Sequence, residues 1–202
     1  MTDLEVAPAR PGRPRSTTHA ELERQGITLF LERGYDETSI DDIAAAAGIG
    51  RRTFFRYFHN KADLVWGDFE AELQRMRDCL ARYHDDRPMM ETVRRAVVDF
   101  NAVARDDEEE FRRRLTLILG VPSLIAHSTL RFAQWREVVA EFAAARLGLA
   151  PDDLVPTVVG HCAFGATIGA YETWMRTDGL DLGEVLDDAF GQLAQGFPVG
   201  GQ

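Results

Sequence analysis

Apolar side chains in this chain recur at spacings of three and four residues almost from end to end, and nowhere do they alternate over the length of a strand. That property confines the chain to helices packed on helices, since a helix with one apolar stripe must bury it against another element. Local signals divide the pattern. Thr18 with Glu21 and Ser39 with Asp42 are capping boxes that open helices, and Asp181 with Glu184 opens another. Gly34 and Gly48 close two short helices, while "GVP" at 120–122 and "GLAPDD" at 148–153 separate long ones. The expected fold class is all-α with about nine helices. Three short ones lie in front, a fourth spans about 61–83, and five more follow, the last at about 182–196.

Charge is unevenly distributed along this helical frame. The net charge is −10, yet residues 10–61 carry nine Lys/Arg against seven Asp/Glu, and residues 67–202 carry fourteen against twenty-three. Only the front can approach a polyanion without repulsion, so the chain divides into two jobs. The expected organisation is a basic, disordered arm at 1–15, a helix-turn-helix unit at 16–61 and a helical unit at 62–202. Cys79 and Cys162 stand apart with no ligand spacing, which argues against a disulfide framework and a zinc site. No signal peptide pattern and no apolar run approaching about 20 residues is expected, which points to a cytoplasmic protein without a membrane partner.

The stretch "GIGRRTFFRYFHNK", Gly48 to Lys61, concentrates basic and aromatic residues. Gly48 permits the positive φ needed to leave one helix abruptly, and Ile49 can plug the space between the two helices. The next helix then starts with Arg51, Arg52 and Thr53 in its first turn, and Arg56 and Tyr57 follow one turn later. Donors at a helix N-terminus suit phosphates and base edges of double-stranded DNA in a major groove. Phe54 and Phe58, four apart, anchor the opposite face. Lys61 opens the following helix, placed for a backbone phosphate, and Ser39, which caps the preceding one, is a further expected DNA contact. In the arm, Arg10, Arg13 and Arg15 form an extended basic segment suited to a minor groove. The bland alternative is a solvated basic helix face.

The segment "ITLFLERGYDETSIDDIAAAAGIGRRTFFRYFHNKADL", Ile27 to Leu64, resembles the helix-turn-helix signature of the TetR/AcrR family of bacterial transcriptional regulators. "RRTFFRYF…KADLVWGDF" further resembles an actinobacterial branch that includes regulators of mycofactocin gene clusters. The resemblance implies DNA contacts at Arg51, Arg52, Thr53, Tyr57 and Lys61, and a palindromic operator. It implies a homodimer through the last two helices and release of the operator by a small-molecule effector. Phe55 departs from the family, which commonly has a phosphate-binding Tyr there. The rear of the chain agrees only in length and helical pattern.

The rear offers readings of its own. Gly160, Ala163, Gly165, Ala166, Gly169 and Ala170 would let helices approach closely, and Val185, Leu186, Ala189, Phe190 and Leu193 form a stripe on the last helix. Both could face a second subunit or pack within one. Candidate cavity residues are Phe100, Leu115, Leu119, Phe132, Trp135, Phe164, Ile168, Tyr171 and Trp174, which could equally fill a core. A hinge is expected around 63–69, beside Trp66. "EEEFRRRL" at 108–115 reads as a solvated charged face, or as Arg112 to Arg114 meeting an anionic head group at a cavity mouth. His127 and His161 read as satisfied histidines. No Ser-His-Asp order, HExxH, P-loop or dinucleotide loop occurs, and no carboxylates pair on an apolar face, so neither enzyme activity nor a cofactor is expected. The reading is a ligand-responsive repressor, with a long-chain acyl compound such as an acyl-CoA as the first candidate effector. A ligand-independent architectural DNA binder is the alternative.

Overall fold

The computed structural model describes residues 18–83, 87–102 and 108–197. Ten helices run α1 (His19–Arg33), α2 (Ile40–Ala46), α3 (Arg51–Tyr57), α4 (Lys61–Trp66), α5 (Phe69–Arg82), α6 (Met89–Ala102), α7 (Glu108–Gly120), α8 (Pro122–Leu147), α9 (Leu154–Arg176) and α10 (Leu182–Gln195). No strand occurs among the described residues. The expected fourth helix is divided at Gly67, so α4 and α5 count as one kinked helix or as two. Gly67 adopts φ +63°, ψ −147°, which ends α4, and its N–H donates to the Asp63 carbonyl at 2.9 Å.

Helix ends follow the local chemistry. Thr18 and Ser39 form reciprocal capping boxes with Glu21 and Asp42. Asp181 accepts from the Glu184 amide at 3.0 Å. Gly148 and Gly196 close α8 and α10 in the left-handed conformation. Val121 separates α7 from α8, Pro122 sits where its missing N–H costs nothing, and the two axes bend by 98°.

Two apolar cores result. The front core joins Leu22, Ile27 and Phe30 of α1 to Ile43, Phe54, Phe58, Leu64 and Val65, and takes Leu117, Ile118 and Leu124 from the α7–α8 corner. Phe54 is fully buried, a contribution of about 1.5–3 kcal/mol from its side chain. Ala62, Leu64 and Val65 belong to this core, so the boundary expected after Lys61 falls within a helix that packs with the front. The rear core gathers α5, α6, α8, α9 and α10 around Met76, Val97, Val139, Trp174, Leu186 and Phe190.

One expectation is corrected here. From Leu154 to Tyr171 no Asp, Glu, Lys or Arg occurs, and α9 has the length and apolarity to cross a membrane. It packs between α8 and α10, with a third of its apolar window buried. The small residues of α9 and the stripe of α10 divide between the subunit's own core and its surface. Ala163, Ala170, Leu186 and Phe190 are buried, and a Cβ on Gly160 would lie 2.6 Å from the Arg136 carbonyl. Gly165 and Gly169 are exposed, with open space where a Cβ would be.

Candidate nucleic-acid interface and internal cavity

The α2–α3 turn is built as its sequence dictates. Gly48 has φ +65°, and the Ile49 amide returns to the Ala44 carbonyl at 2.9 Å, which folds α3 back across α2. Phe54 and Phe58 are buried against the bundle, their rings 5.6 Å apart. The outer face of α3 consequently carries Arg51, Arg52, Phe55 and Arg56, all exposed, with Thr53 and Tyr57 half-buried at its margins. Arg51 pairs with Asp41 at 2.8 Å, with both side chains more than half exposed. Such a pair contributes about 0–1 kcal/mol and yields readily to a phosphate. Arg56 donates to the Tyr57 hydroxyl at 3.3 Å and lies over its ring. Phe55 is 41% exposed beneath the Arg51 guanidinium.

Two expected DNA contacts are occupied otherwise. The Lys61 ammonium donates to the carbonyls of Tyr35 at 2.7 Å, Thr38 at 3.2 Å and Asp36 at 3.4 Å, and sits 4.3 Å from the Tyr35 ring centre. These three carbonyl acceptors tie the half-buried Lys61 to the α1–α2 loop. Ser39 Oγ accepts from the Asp42 amide and donates to the Asp42 carboxylate, which makes it a cap. The hydrogen bonds that the Ser39 hydroxyl and amide donate hold the Asp42 carboxyl below the usual range. Arg10, Arg13 and Arg15 lie outside the described residues.

Behind the Gly67 break is a cavity of about 510 Å³, a size usual for small-molecule sites. Phe100, Leu115, Leu119, Phe132, Trp135, Phe164, Ile168 and Tyr171 line it as expected. Trp174 does not. It is fully buried, donates to the Leu180 carbonyl and is covered by the Arg112 guanidinium 3.9 Å from its ring centre. A run of aromatic contacts leads from the end of α4 into the cavity: Trp66 meets Phe132 at 5.7 Å, Phe132 meets Phe164 at 5.1 Å, and Phe164 meets Trp135 at 5.7 Å.

Polar groups in the wall are satisfied. Tyr171 donates to Asn101 Oδ1 at 2.7 Å, Asn101 donates to the Val97 carbonyl, and burial pushes the Tyr171 phenol well above its ordinary range. The "RRR" run is no solvated face. Its three arginines point to three different partners, as positions 100° apart on a helix must. Arg112 reaches the Trp174 carbonyl, Arg113 the Thr28 hydroxyl, and Arg114 the Val65 carbonyl and Glu23. Only Arg114 of the three lines the cavity. His127 stands 3.8 Å from Asp63, and His161 is exposed. Gly67, Phe69, Arg75, Asn101 and Arg131 are lining residues that periodicity missed. Asn101, polar on the inner face of α6, was the available signal.

A helix-turn-helix head on a helical body with an internal cavity is the build of a bacterial DNA-binding regulator. Residues 24–65 match "Bacterial regulatory proteins, tetR family" and residues 87–198 match "MftR C-terminal domain". A Mycobacterium tuberculosis protein named for regulating mycofactocin biosynthesis, MftR, is 37% identical over 94% of this chain and 96% of its own length. The chain belongs to the tetR family of transcriptional regulators, in the group that carries the MftR C-terminal domain. Among solved structures, Thermus thermophilus FadR, described as a repressor in complex with lauroyl-CoA, aligns at TM-score 0.59 with 21% identity, over 92% of this chain and 97% of its own. Bacillus halodurans FadR, a fatty acid degradation regulator, aligns at 0.64 with 18% identity, over 90% and 100%. At these identities the likeness is one of fold.

Proposed function

We propose that this regulator is a homodimeric repressor that leaves a palindromic operator when a small amphipathic molecule enters the cavity behind Gly67. The observation that carries the reading is the position of that cavity. Its wall contains Trp66, Gly67 and Phe69, the residues at which α4, tied to the reading head, turns into α5, tied to the rear core. Occupancy there must act on the angle between the two helices, and that angle sets the spacing of paired heads. Arg51, Arg52, Thr53, Arg56 and Tyr57 form the DNA-reading set, supported by their shared exposed or half-buried face. The outward glycines Gly165 and Gly169 of α9, with Val158 beside them 47% exposed, support a second subunit packing there. The aromatic lining and the lauroyl-CoA found in a protein of the same fold favour a long-chain acyl compound as effector. A cytoplasmic location follows from a DNA target.

The test is an electrophoretic mobility shift on DNA flanking the gene, titrated with lauroyl-CoA and with small molecules extracted from the purified protein. Release of the duplex is expected. If the protein binds that DNA and no compound releases it, an architectural role replaces this reading.

A further inference from the structure

Two arginines in the cavity wall also hold the front of the molecule. Arg131 of α8 donates to Asp63 Oδ1 on α4 at 2.6 Å, and the two side chains are only 18% and 19% exposed. Its guanidinium lies 5.4 Å from the Trp66 ring centre and 5.8 Å from that of Phe69, so it spans both sides of the Gly67 break. Arg114 of α7 donates to the Val65 carbonyl at 2.7 Å and to Glu23 of α1 at 3.2 Å. The third cavity arginine, Arg75, is held by Glu72 and the Phe100 carbonyl, both on the rear side of the break.

We propose that the Arg131–Asp63 ion pair is a latch holding α4 in its DNA-competent position, and that an anionic group entering the cavity opens it by taking the guanidinium from Asp63. This rests on the ligand-responsive reading above and adds the charge class of the ligand. Its head carries a carboxylate or phosphate at the α4 end, and its apolar remainder lies along Phe132 and Phe164. Asp63 also accepts a side-chain hydrogen bond from Asn60 at 2.9 Å, and His127 stands 3.8 Å away. Once Arg131 turns to the ligand, a carboxylate four-fifths buried loses its closest cation, and the α4 position that buries it becomes unfavourable. An uncharged ligand of equal length fills the same space and leaves the pair intact. Arg114 is the weaker candidate, because what it would release on α4 is a neutral carbonyl.

Asp63 and Arg131 touch no DNA in this reading, so the test is a double-mutant cycle on DNA affinity. Duplex DNA selected by the wild type from a random pool is followed by fluorescence anisotropy. Asp63→Asn and Arg131→Gln should each weaken ligand-free binding by roughly five- to twentyfold, a usual size for coupling between sites. The double variant should bind no worse than either single one, and Arg131→Lys, which keeps the charge, should recover most of the affinity. Unchanged, tighter or additive effects overturn the latch. Melting curves check each fold, and if Arg131→Gln does not fold, Asp63→Asn with Arg131→Lys decides. In the second arm, dodecanoate should release DNA from the wild type at least about tenfold more potently than dodecanol, and Arg131→Gln should erase that advantage. Equal potency overturns the anionic assignment. Failure of both compounds counts against the ligand-gated reading and the anionic assignment together, while the mutant cycle judges the latch by itself.

Discussion

Replacing Gly67 by alanine tests the backbone constraint at the α4–α5 break directly. At φ +63°, ψ −147° the backbone occupies a region essentially restricted to glycine, and a side chain there costs about 1–3 kcal/mol. The new Cβ would also lie 2.9 Å from Glu23 Oε1 and 3.2 Å from Arg114 Nη1. Both are ends of flexible side chains, so they can retreat, but retreat loosens a charged hydrogen bond that is mostly buried, at about 1 kcal/mol more. The total is about 2–4 kcal/mol of lost stability, or roughly 4–16 °C in Tm for a chain of this size. Urea unfolding followed by circular dichroism at fixed protein concentration measures it, because a dimer's stability depends on concentration. Gly120→Ala is the control: beyond its chain neighbours and its own helix backbone no atom lies within 4 Å of that Cβ, and its φ is not positive. It should be neutral, or stabilising by up to about 1 kcal/mol. If Gly67→Ala loses less than about 1 kcal/mol, the backbone at the break is not constrained as argued.

Arg52→Ala should weaken operator binding by about 1–3 kcal/mol and leave the melting curve unchanged, since Arg52 is exposed on the outer face of α3; mobility shifts with circular dichroism check both. Glu91 receives hydrogen bonds from Arg94 and Arg95, which hold its carboxyl down at about 2 against an ordinary 4.5. Its folded value being the lower one, its contribution is present above about pH 4.5 and disappears as pH falls through 2. Glu91→Gln should therefore lower Tm at about pH 6 and make little difference near pH 2, as thermal melts across that range would register.

Much of this architecture was legible in the sequence because it rests on short-range chemistry. Thr18 and Ser39 with their acidic partners three residues on, Gly48 at the turn, and Phe54 with Phe58 on one face each act within a few residues, so reading them required no knowledge of the fold. The same holds for Arg51, Arg52 and Arg56, which are exposed because the aromatics behind them are buried. Eight of the nine residues expected around the cavity also line it, since inward phase on α6 to α9 follows from periodicity.

Phase says that a side chain points inward, and it does not say what waits there. Trp174 and Tyr171 share a face of α9, yet Trp174 is sealed by Arg112 and the Leu180 carbonyl while Tyr171 borders open space. Lys61 lies 26 residues from Tyr35, and only the return of α4 across the α1–α2 loop brings its ammonium to that carbonyl. Arg131 is 68 residues from Asp63, and no local pattern pairs the two. The sequence by itself determined the helices, their caps and the exposed basic face, because those depend on neighbours along the chain. Where the cavity ends, which cations are taken, and what crosses the Gly67 break were decided by tertiary structure alone, because each depends on the separation in space of residues that are remote in the chain.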